Sequence, residues 1–222
     1  MGFKAIYLIK HLRYIYKTLY VNTKLKCKVS LKSPFFPLIV TSRLRLYCEA
    51  TAKVKSSPDS SIRFGFGGGG TAMFPNTGIN LELFDKSTLH LCGKSIIGYG
   101  SSICIYPNGE LYLGDETYIA AGAIIKCAKQ IRIGNNCAIS WNVTILDSDF
   151  HPWSINGKDM QIDKAVTIED HVWIGNGVTI LKGVTIGSGS IVGAGSIVTS
   201  SVPKNCLVAG NPARIIHENV SW

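Results

Sequence analysis

Residues 147–153 read DSDFHPW and gather side chains that can do acid–base chemistry. Asp147 and Asp149 precede His151 at two-residue intervals, and Trp153 follows at the same interval. If the stretch begins extended, alternate residues share a face, so both carboxylates lie beside the imidazole. A nearby carboxylate fixes the tautomer of a histidine and raises its basicity, which suits a general base. The alternative is a surface loop in which Asp-x-Asp only forms turns.

This stretch interrupts a repeat of six residues. Aliphatic side chains recur at that spacing after the interruption, at Ile168, Ile174, Ile180, Ile186, Val192 and Val198. Three shorter sets precede it, at Leu91, Ile97 and Ile103, at Leu113, Ile119 and Ile125, and at Ile133, Ile139 and Ile145. Between Ile145 and Ile168 about seventeen residues leave the repeat as a loop. A long excursion from a regular scaffold is usually functional or disordered.

A period of six residues predicts a parallel β-helix. One short strand and one turn use about six residues, and three such units close a triangular coil of about eighteen. The aliphatic residue of each unit points inward, so stacked coils bury a continuous apolar column. We therefore predict an all-β chain with a basic N-terminal helix and connector in 1–55, a β-helix domain in 56–217 with an extruded loop over 146–167, and a C-terminal tail in 218–222.

The formal charge of +9 is concentrated at the N-terminus. Residues 1–55 carry twelve Lys or Arg and one acid, and the rest of the chain is slightly acidic. A nucleic-acid-binding fold more often spreads its positive charge, so we predict no nucleic-acid partner. Residues 3–20 fit a helix with one apolar side, formed by Leu8, Ile9, Leu12, Ile15, Tyr16, Leu19 and Tyr20. This side packs on the chain's own domain or a neighbouring subunit, or residues 1–20 lie on an anionic membrane surface.

Two further segments are assigned as irregular. SPFFPLIV at 33–40 contains two prolines and cannot continue the helix, so we expect a connector. GFGGGG at 65–70 predicts a sharp turn where β-structure begins, because no strand-to-helix pattern surrounds it as a dinucleotide site requires.

The remaining composition favours a reduced compartment and no metal. Seven cysteines include no CxxC pair, which favours free, mostly buried thiols. No apolar run approaches the ~18 residues of a membrane span, and basic residues interrupt the N-terminal segment, so we expect no secretory signal and a cytoplasmic protein. His90, His151 and His171 are too widely spaced to predict a zinc site.

Four short motifs carry a resemblance to a known family. They are SWNVTILDSDFHP at 140–152, VWIGNGV at 172–178, GAGSIVT at 193–199 and AGNPAR at 209–214. Residues 88–217 resemble the hexapeptide-repeat acyltransferases, which include galactoside and maltose acetyltransferases and the capsule and O-antigen polysaccharide O-acetyltransferases. The resemblance implies a left-handed parallel β-helix that forms a homotrimer with active sites between subunits. It also implies acetyl transfer from acetyl-CoA to a hydroxyl or an amine.

The same resemblance assigns roles to individual residues. His151 matches the base, and the backbone N–H near Asn176 matches the donor to the thioester region, so the predicted catalytic set is His151, Asp149 and Asn176. The residues expected to bind acetyl-CoA are Trp173, Ala194, Thr199, Ser200, Lys204 and Arg214. The residues expected to meet the acceptor are Asp147, Asn142 and Trp153. From the two-residue spacing, Asp149 is the expected orienting partner of His151, and Asp147, one step further away, is expected to contact the sugar.

Two departures from the galactoside acetyltransferases limit what can be transferred. Ser200 stands where those enzymes often have a basic residue, and YIAAGA at 118–123 replaces their asparagine near the base. The DSDFH version instead resembles the polysaccharide branch. The sequence thus predicts an O-acetyltransferase acting on a sugar hydroxyl of a bacterial surface glycan or its precursor. The alternatives are an N-acetyltransferase for a nucleotide-linked amino sugar and an antibiotic-modifying acetyltransferase.

Overall fold

The computed structural model describes residues 15–25, 38–40, 44–65 and 77–222. Helix α1 spans 15–24. The strands that follow are β1 (Leu38–Val40), β2 (Leu44–Cys48), β3 (Lys53–Ser56), β4 (Ser61–Phe64), β5 (Ile79–Leu83), β6 (Thr88–Leu91), β7 (Lys94–Ile97), β8 (Ser102–Ile105), β9 (Glu110–Leu113), β10 (Thr117–Ile119), β11 (Ile124–Cys127), β12 (Gln130–Ile133), β13 (Ala138–Ile139), β14 (Thr144–Leu146), β15 (Ser154–Ile155), β16 (Lys158–Asp159), β17 (Val166–Ile168), β18 (Trp173–Ile174), β19 (Thr179–Ile180), β20 (Thr185–Ile186), β21 (Ile191–Val192), β22 (Ile197–Val198), β23 (Cys206–Gly210) and β24 (Ala213–Glu218).

The strands wind into a parallel β-helix with three faces. Face A has the order β1-β4-β7-β10-β13-β18-β21-β23-β24, face B the order β2-β5-β8-β11-β14-β19-β22, and face C the order β20-β17-β12-β9-β6-β3. The chain visits the faces in rotation, so the turns lie at three corners, which we call AB, BC and CA after the faces they join. Antiparallel pairing occurs between β23 and β24, in the small hairpin β15–β16, and at an isolated bridge between Ser148 and Asp163.

The six-residue pattern forms the core as expected. Ile139 on face A pairs with Ile119 in the coil before and with Ile174 in the coil after, and all three side chains are fully buried. The same register continues to Val192, so a column of aliphatic side chains fills the prism. Burying these side chains removes apolar surface from water, which stabilises the fold by roughly 25 cal/mol per Å² of buried area.

Helix α1 packs against the first coil through the side that carries Val21, Asn22 and Leu25. The Asn22 side-chain amide donates to the carbonyls of Thr18 (2.7 Å) and Leu38 (2.8 Å), and Leu38 N–H donates back to Asn22 Oδ1 (3.2 Å). Val21 and Leu25 are buried in the same cluster as the β-helix core. The helix therefore extends past the expected end at residue 20, and the part of that prediction before residue 15 lies outside the described residues.

The β-helix includes residues that the sequence assigned to other segments. Strands β1 to β3 already belong to faces A, B and C, so the fold begins before the expected boundary at residue 56. Leu38–Val40, expected in the connector, forms β1, whereas 33–37 and 66–70 lie outside the described residues. At the other end β24 reaches Glu218, and the tail folds back through a hydrogen bond from Val220 N–H to Asn205 O (2.9 Å).

Candidate active site

The predicted loop is extruded at corner BC. The chain leaves face B after β14 and re-enters face C at β17, so the excursion is the 147–165 loop. It carries the β15–β16 hairpin, in which Ser154 pairs with Asp159 and Ile155 with Lys158. The expected bounds, 146–167, were nearly right because the flanking isoleucines keep the hexad register.

Asp147 anchors the loop where it leaves the β-helix. Its side chain is fully buried. One carboxylate oxygen accepts the Ala128 N–H (2.6 Å) and the other accepts the Lys129 N–H (2.8 Å), and Cys127 Sγ lies 3.6 Å away. Burial raises the pKa of Asp147, although the backbone N–H donors oppose this. A carboxylate with no exposed area cannot contact an acceptor, so the expected sugar contact of Asp147 is wrong.

Phe150 reverses the chain just before the histidine. Its φ of 60° lies in the left-handed region, where a bulky aromatic residue is an outlier. Its N–H donates to Ser148 Oγ (2.9 Å), and its ring packs on Tyr106 at a centroid distance of 4.9 Å. The expected extended conformation therefore ends here. Asp147 points into the fold whereas Asp149 is exposed, so the two carboxylates do not share a face.

Asp149 bonds to a lysine rather than to the histidine. Lys182 Nζ and Trp153 Nε1–H both donate to Asp149 Oδ2, the second at 2.6 Å. The hydrogen bond from Lys182 holds the pKa of Asp149 below its ordinary value. Lys182 Nζ also donates to the carbonyl of Gln161, so it joins the outgoing and returning halves of the loop. The expected orienting contact from Asp149 to His151 is absent among the described residues.

His151 lies exposed on this fixed segment. Within residues 15–25, 38–40, 44–65 and 77–222, its imidazole has no hydrogen-bond or ion-pair partner. An accessible imidazole next to an anchored turn can accept a proton from a bound hydroxyl, which is the first requirement of a general base. Trp153, two residues on, is 44% exposed and presents an aromatic surface on the same loop.

Corner AB carries a second group of predicted residues. Asn142, Asn176 and Ala194 occupy three stacked turns, linked for example by the Gly195 N–H donating to Asn176 O (2.8 Å). Gly177 and Gly195 have positive φ, and a Cβ on either would meet open space. The Asn176 N–H has no acceptor among the described residues. This corner therefore offers a row of small residues and a free amide donor, which fits a long, thin ligand such as the arm of acetyl-CoA.

The remaining acetyl-CoA residues lie elsewhere. Trp173 faces outward on face A and is 43% exposed. Thr199 and Ser200 are exposed at corner BC, and Arg214 is exposed on β24. Lys204 lies at corner CA with its ammonium 3.7 Å from Glu169 Oε2. The predicted residues thus occupy three corners of the prism, and one chain does not bring them into a single pocket.

Two contacts at the site were not predicted. Lys182 sits in an ordinary hexad turn, ILKG, and nothing local distinguishes it from other exposed lysines. Trp222 stacks on His171 at 4.3 Å and lies 6.0 Å from the Trp173 ring, so the tail covers one side of a predicted cofactor residue. In the described part of the chain no three His, Cys, Asp or Glu side chains converge, and the absence of a metal stays a prediction.

Comparison with known proteins agrees with this architecture. The family model described as bacterial transferase hexapeptide (six repeats) matches residues 165–200. Residues 165–200 are therefore similar to bacterial transferase hexapeptide repeats. It is 41% identical over 139 residues to a 24.8 kDa protein of the cps region of Klebsiella pneumoniae, covering 62% of each chain. It is 42% identical over 116 residues to a polysialic acid O-acetyltransferase of Escherichia coli O1:K1, covering 51% of this chain and 38% of that one.

A solved structure extends the similarity to most of the fold. The crystal structure of the polySia-specific acetyltransferase NeuO superposes with a TM-score of 0.52 and 28% identity, covering 84% of this chain and 88% of that one. The predicted resemblance to hexapeptide-repeat acyltransferases of the polysaccharide branch is confirmed, and so is the left-handed β-helix. The chain spans less than two thirds of the length of each curated relative above.

Proposed function

We propose that this protein transfers an acetyl group from acetyl-CoA to a hydroxyl of a bacterial surface glycan or its precursor. The observation that carries the proposal is the exposed His151, held on an anchored turn with no partner of its own among the described residues. The similarity to polysialic acid O-acetyltransferase and to NeuO supports both the reaction and a capsule-type acceptor.

The proposed chemistry uses a base and an oxyanion donor. His151 accepts the proton of the sugar hydroxyl as its oxygen forms a bond to the thioester carbonyl carbon, which contributes roughly 10²–10⁴ in rate. The negative charge that develops on the carbonyl oxygen is stabilised by the free Asn176 N–H. The carbon–sulfur bond then breaks, and the CoA thiolate takes up the proton from the imidazole.

A homotrimer would assemble these parts. Corner AB and corner BC lie on opposite sides of face B, so the Asn176 row of one copy needs the 147–165 loop of another. From Ile96 onward the outward column of face A is apolar and runs through Tyr118, Ala138, Trp173 and Ile191, whereas Arg63 precedes Ile96 in the same column. The equivalent column of face C is polar and runs through Lys55, His90, Tyr112, Arg132 and Thr167. This contrast supports packing between copies on face A and solvent on face C.

The activity is tested by CoA release from acetyl-CoA with the purified full chain, using oligosaccharide and amino-sugar acceptors. His151→Ala should lower turnover by about 10² or more while acetyl-CoA still binds, because the base acts on the acceptor. His217→Ala is the matched control, since His217 is an exposed histidine on β24 away from the loop. Full turnover in His151→Ala would reject the mechanism, and acetylation of amines in preference to hydroxyls would favour the N-acetyltransferase alternative.

We also propose that α1 places the enzyme on an anionic membrane. The helix turns Thr18, Val21, Asn22 and Leu25 toward the β-helix and leaves an apolar stripe exposed, formed by Ile15, Tyr16, Leu19 and Tyr20. The first 55 residues supply twelve cations and one acid, which suits a surface of anionic headgroups. Within the described residues no helix is both long and apolar enough to span a bilayer. The cytoplasmic location stays a prediction.

Vesicle binding tests this placement. The intact protein should bind vesicles that contain phosphatidylglycerol and not vesicles of phosphatidylcholine alone, and salt should weaken the binding. Tyr16→Ser with Leu19→Gln should reduce it, because both side chains are exposed and neither supports the fold. Ile215→Gln with Ile216→Gln alters an equally exposed apolar pair on β24 and should leave binding unchanged. Equal binding by both double variants would reject the membrane role of α1.

A further inference from the structure

The turn that presents His151 is held by side chains from two other coils. Phe150, immediately before His151, packs on Tyr106 from the corner BC turn between β8 and β9. Asp149, one residue earlier, is bonded by Lys182 from the corner BC turn between β19 and β20. His151 itself has no partner among the described residues, so its position depends on its neighbours.

The Phe150 conformation needs an external anchor. A non-glycine residue with φ near 60° is strained, and such strain persists only where the surroundings enforce it. Three contacts do so: the Ser148 hydroxyl on its N–H, the Tyr106 ring, and the Lys126 ammonium 5.8 Å from the ring centroid. The Tyr106 ring belongs to an aromatic stack on the regular coils, so it fixes where the Phe150 ring lies.

Tyr106 is itself immobilised by an aromatic column along corner BC. Its ring stacks on Phe84 at 5.8 Å with an interplanar angle of 9°, and Phe84 contacts Tyr47 at 5.2 Å. Burial raises the pKa of Tyr106 to about 12, so its phenol stays neutral near physiological pH. The Phe150 ring, immediately before His151, is therefore held in a fixed position relative to the regular coils.

Lys182 fixes the other side of the segment. Its side chain is 15% exposed, and its ammonium bonds Asp149 and the Gln161 carbonyl while lying 5.7 Å from the Trp153 ring. These three residues belong to the outgoing and returning parts of the loop. One cation therefore closes the loop around the segment that carries His151.

We propose that Tyr106 and Lys182 are positioning residues for His151, one acting through Phe150 and the other through Asp149. Neither residue touches the reacting atoms. The effect on turnover rests on the proposed acetyltransferase function, whereas the effect on the loop does not.

Four variants test this in the full-length protein. Tyr106→Ala and Lys182→Met should each lower kcat by about tenfold or more, because small displacements of a catalytic group are costly, and should leave the KM for acetyl-CoA unchanged. Lys129→Met removes an exposed corner BC lysine and should keep kcat within about twofold. Tyr106→Phe retains the ring and should retain kcat.

Amide hydrogen exchange across residues 147–165 gives a readout that needs no activity. Exchange should accelerate in Tyr106→Ala and Lys182→Met and stay near the native rate in Lys129→Met and Tyr106→Phe. Native exchange of the loop in both variants would overturn the proposal, as would an equal loss of kcat in Lys129→Met. If Tyr106→Ala does not fold, Tyr106→Leu takes its place. If the native protein releases no CoA, the proposed function fails and the exchange data still decide the positioning role.

Discussion

The stacked coils and the 147–165 loop are stabilised by different kinds of contact. In the coils each inward aliphatic side chain meets its counterpart one coil away, as Ile180 meets Ile145 and Val198. In the loop the fixed points are single polar or aromatic contacts to other coils, such as those of Asp147 and Phe150. The coils thus depend on a repeated pattern and the loop on a few particular residues.

This difference predicts how substitutions act. A change inside the coils removes apolar contacts and lowers stability without altering the chemistry of the folded protein. A change at a loop anchor moves a short exposed segment and affects turnover, with a smaller loss of stability than a change inside the coils. Stability and turnover measured on the same variants therefore separate the two regions.

Ile180→Ala should have the largest effect on stability. Ile180 is fully buried in a regular coil, and truncation of such a side chain costs about 2–5 kcal/mol. Thr179→Ala is the matched control, because Thr179 faces outward on the same strand and should change stability by about 0.5 kcal/mol or less. Thermal unfolding measures both. A loss of turnover in the folded fraction of Ile180→Ala would show that coils and loop are not separable in this way.

Asp147→Asn should have an intermediate effect. Each carboxylate oxygen accepts one backbone N–H group, and in asparagine one of these oxygens is replaced by an NH₂ group, which donates and cannot accept. Leaving one buried donor unpaired costs about 1–3 kcal/mol.

The control for Asp147→Asn is Asp159→Asn in the exposed β15–β16 hairpin, which should change stability by about 0.5 kcal/mol or less. Unchanged thermal stability in Asp147→Asn, with a raised acceptor KM, would restore the sugar contact expected from the sequence.

The sequence predicted the coils well because the hexad pattern is local. Positions such as Ile139 and Ile174 follow directly from counting six residues, and the same count located both ends of the loop. The first coil, β1 to β3, was assigned outside the β-helix because the hexad sets counted from the sequence begin only at Leu91.

The roles of the loop aspartates could not be predicted from spacing. Alternation assumes an extended chain, and the positive φ of Phe150 breaks it, so Asp147 turns inward and Asp149 outward. The partner of Asp149, Lys182, is 33 residues away in sequence, and no local signal connects the two. The apolar stripe of α1 was visible in the sequence, but which side packs on the fold required the partners of Asn22.

Acidification should have the smallest effect, because Asp149 is exposed and solvent screens its charge. The pKa of Asp149 is lowered by Lys182, so the pair's contribution is complete above the ordinary aspartate value of about 3.9 and is lost as pH falls through the lower folded value. The Trp153 indole N–H, which donates to Asp149, reports this in nitrogen-15 NMR, with Trp153→Phe assigning the signal. The signal should stay constant from pH 7 to about 4 and move only below that range.

In Lys182→Met the titration of Asp149 should shift to higher pH, because the main cause of its lowered pKa is gone. A native transition at or above the ordinary aspartate value would show that Lys182 does not hold Asp149 in solution, and the loop would then lack the clamp that distinguishes it from an ordinary surface excursion.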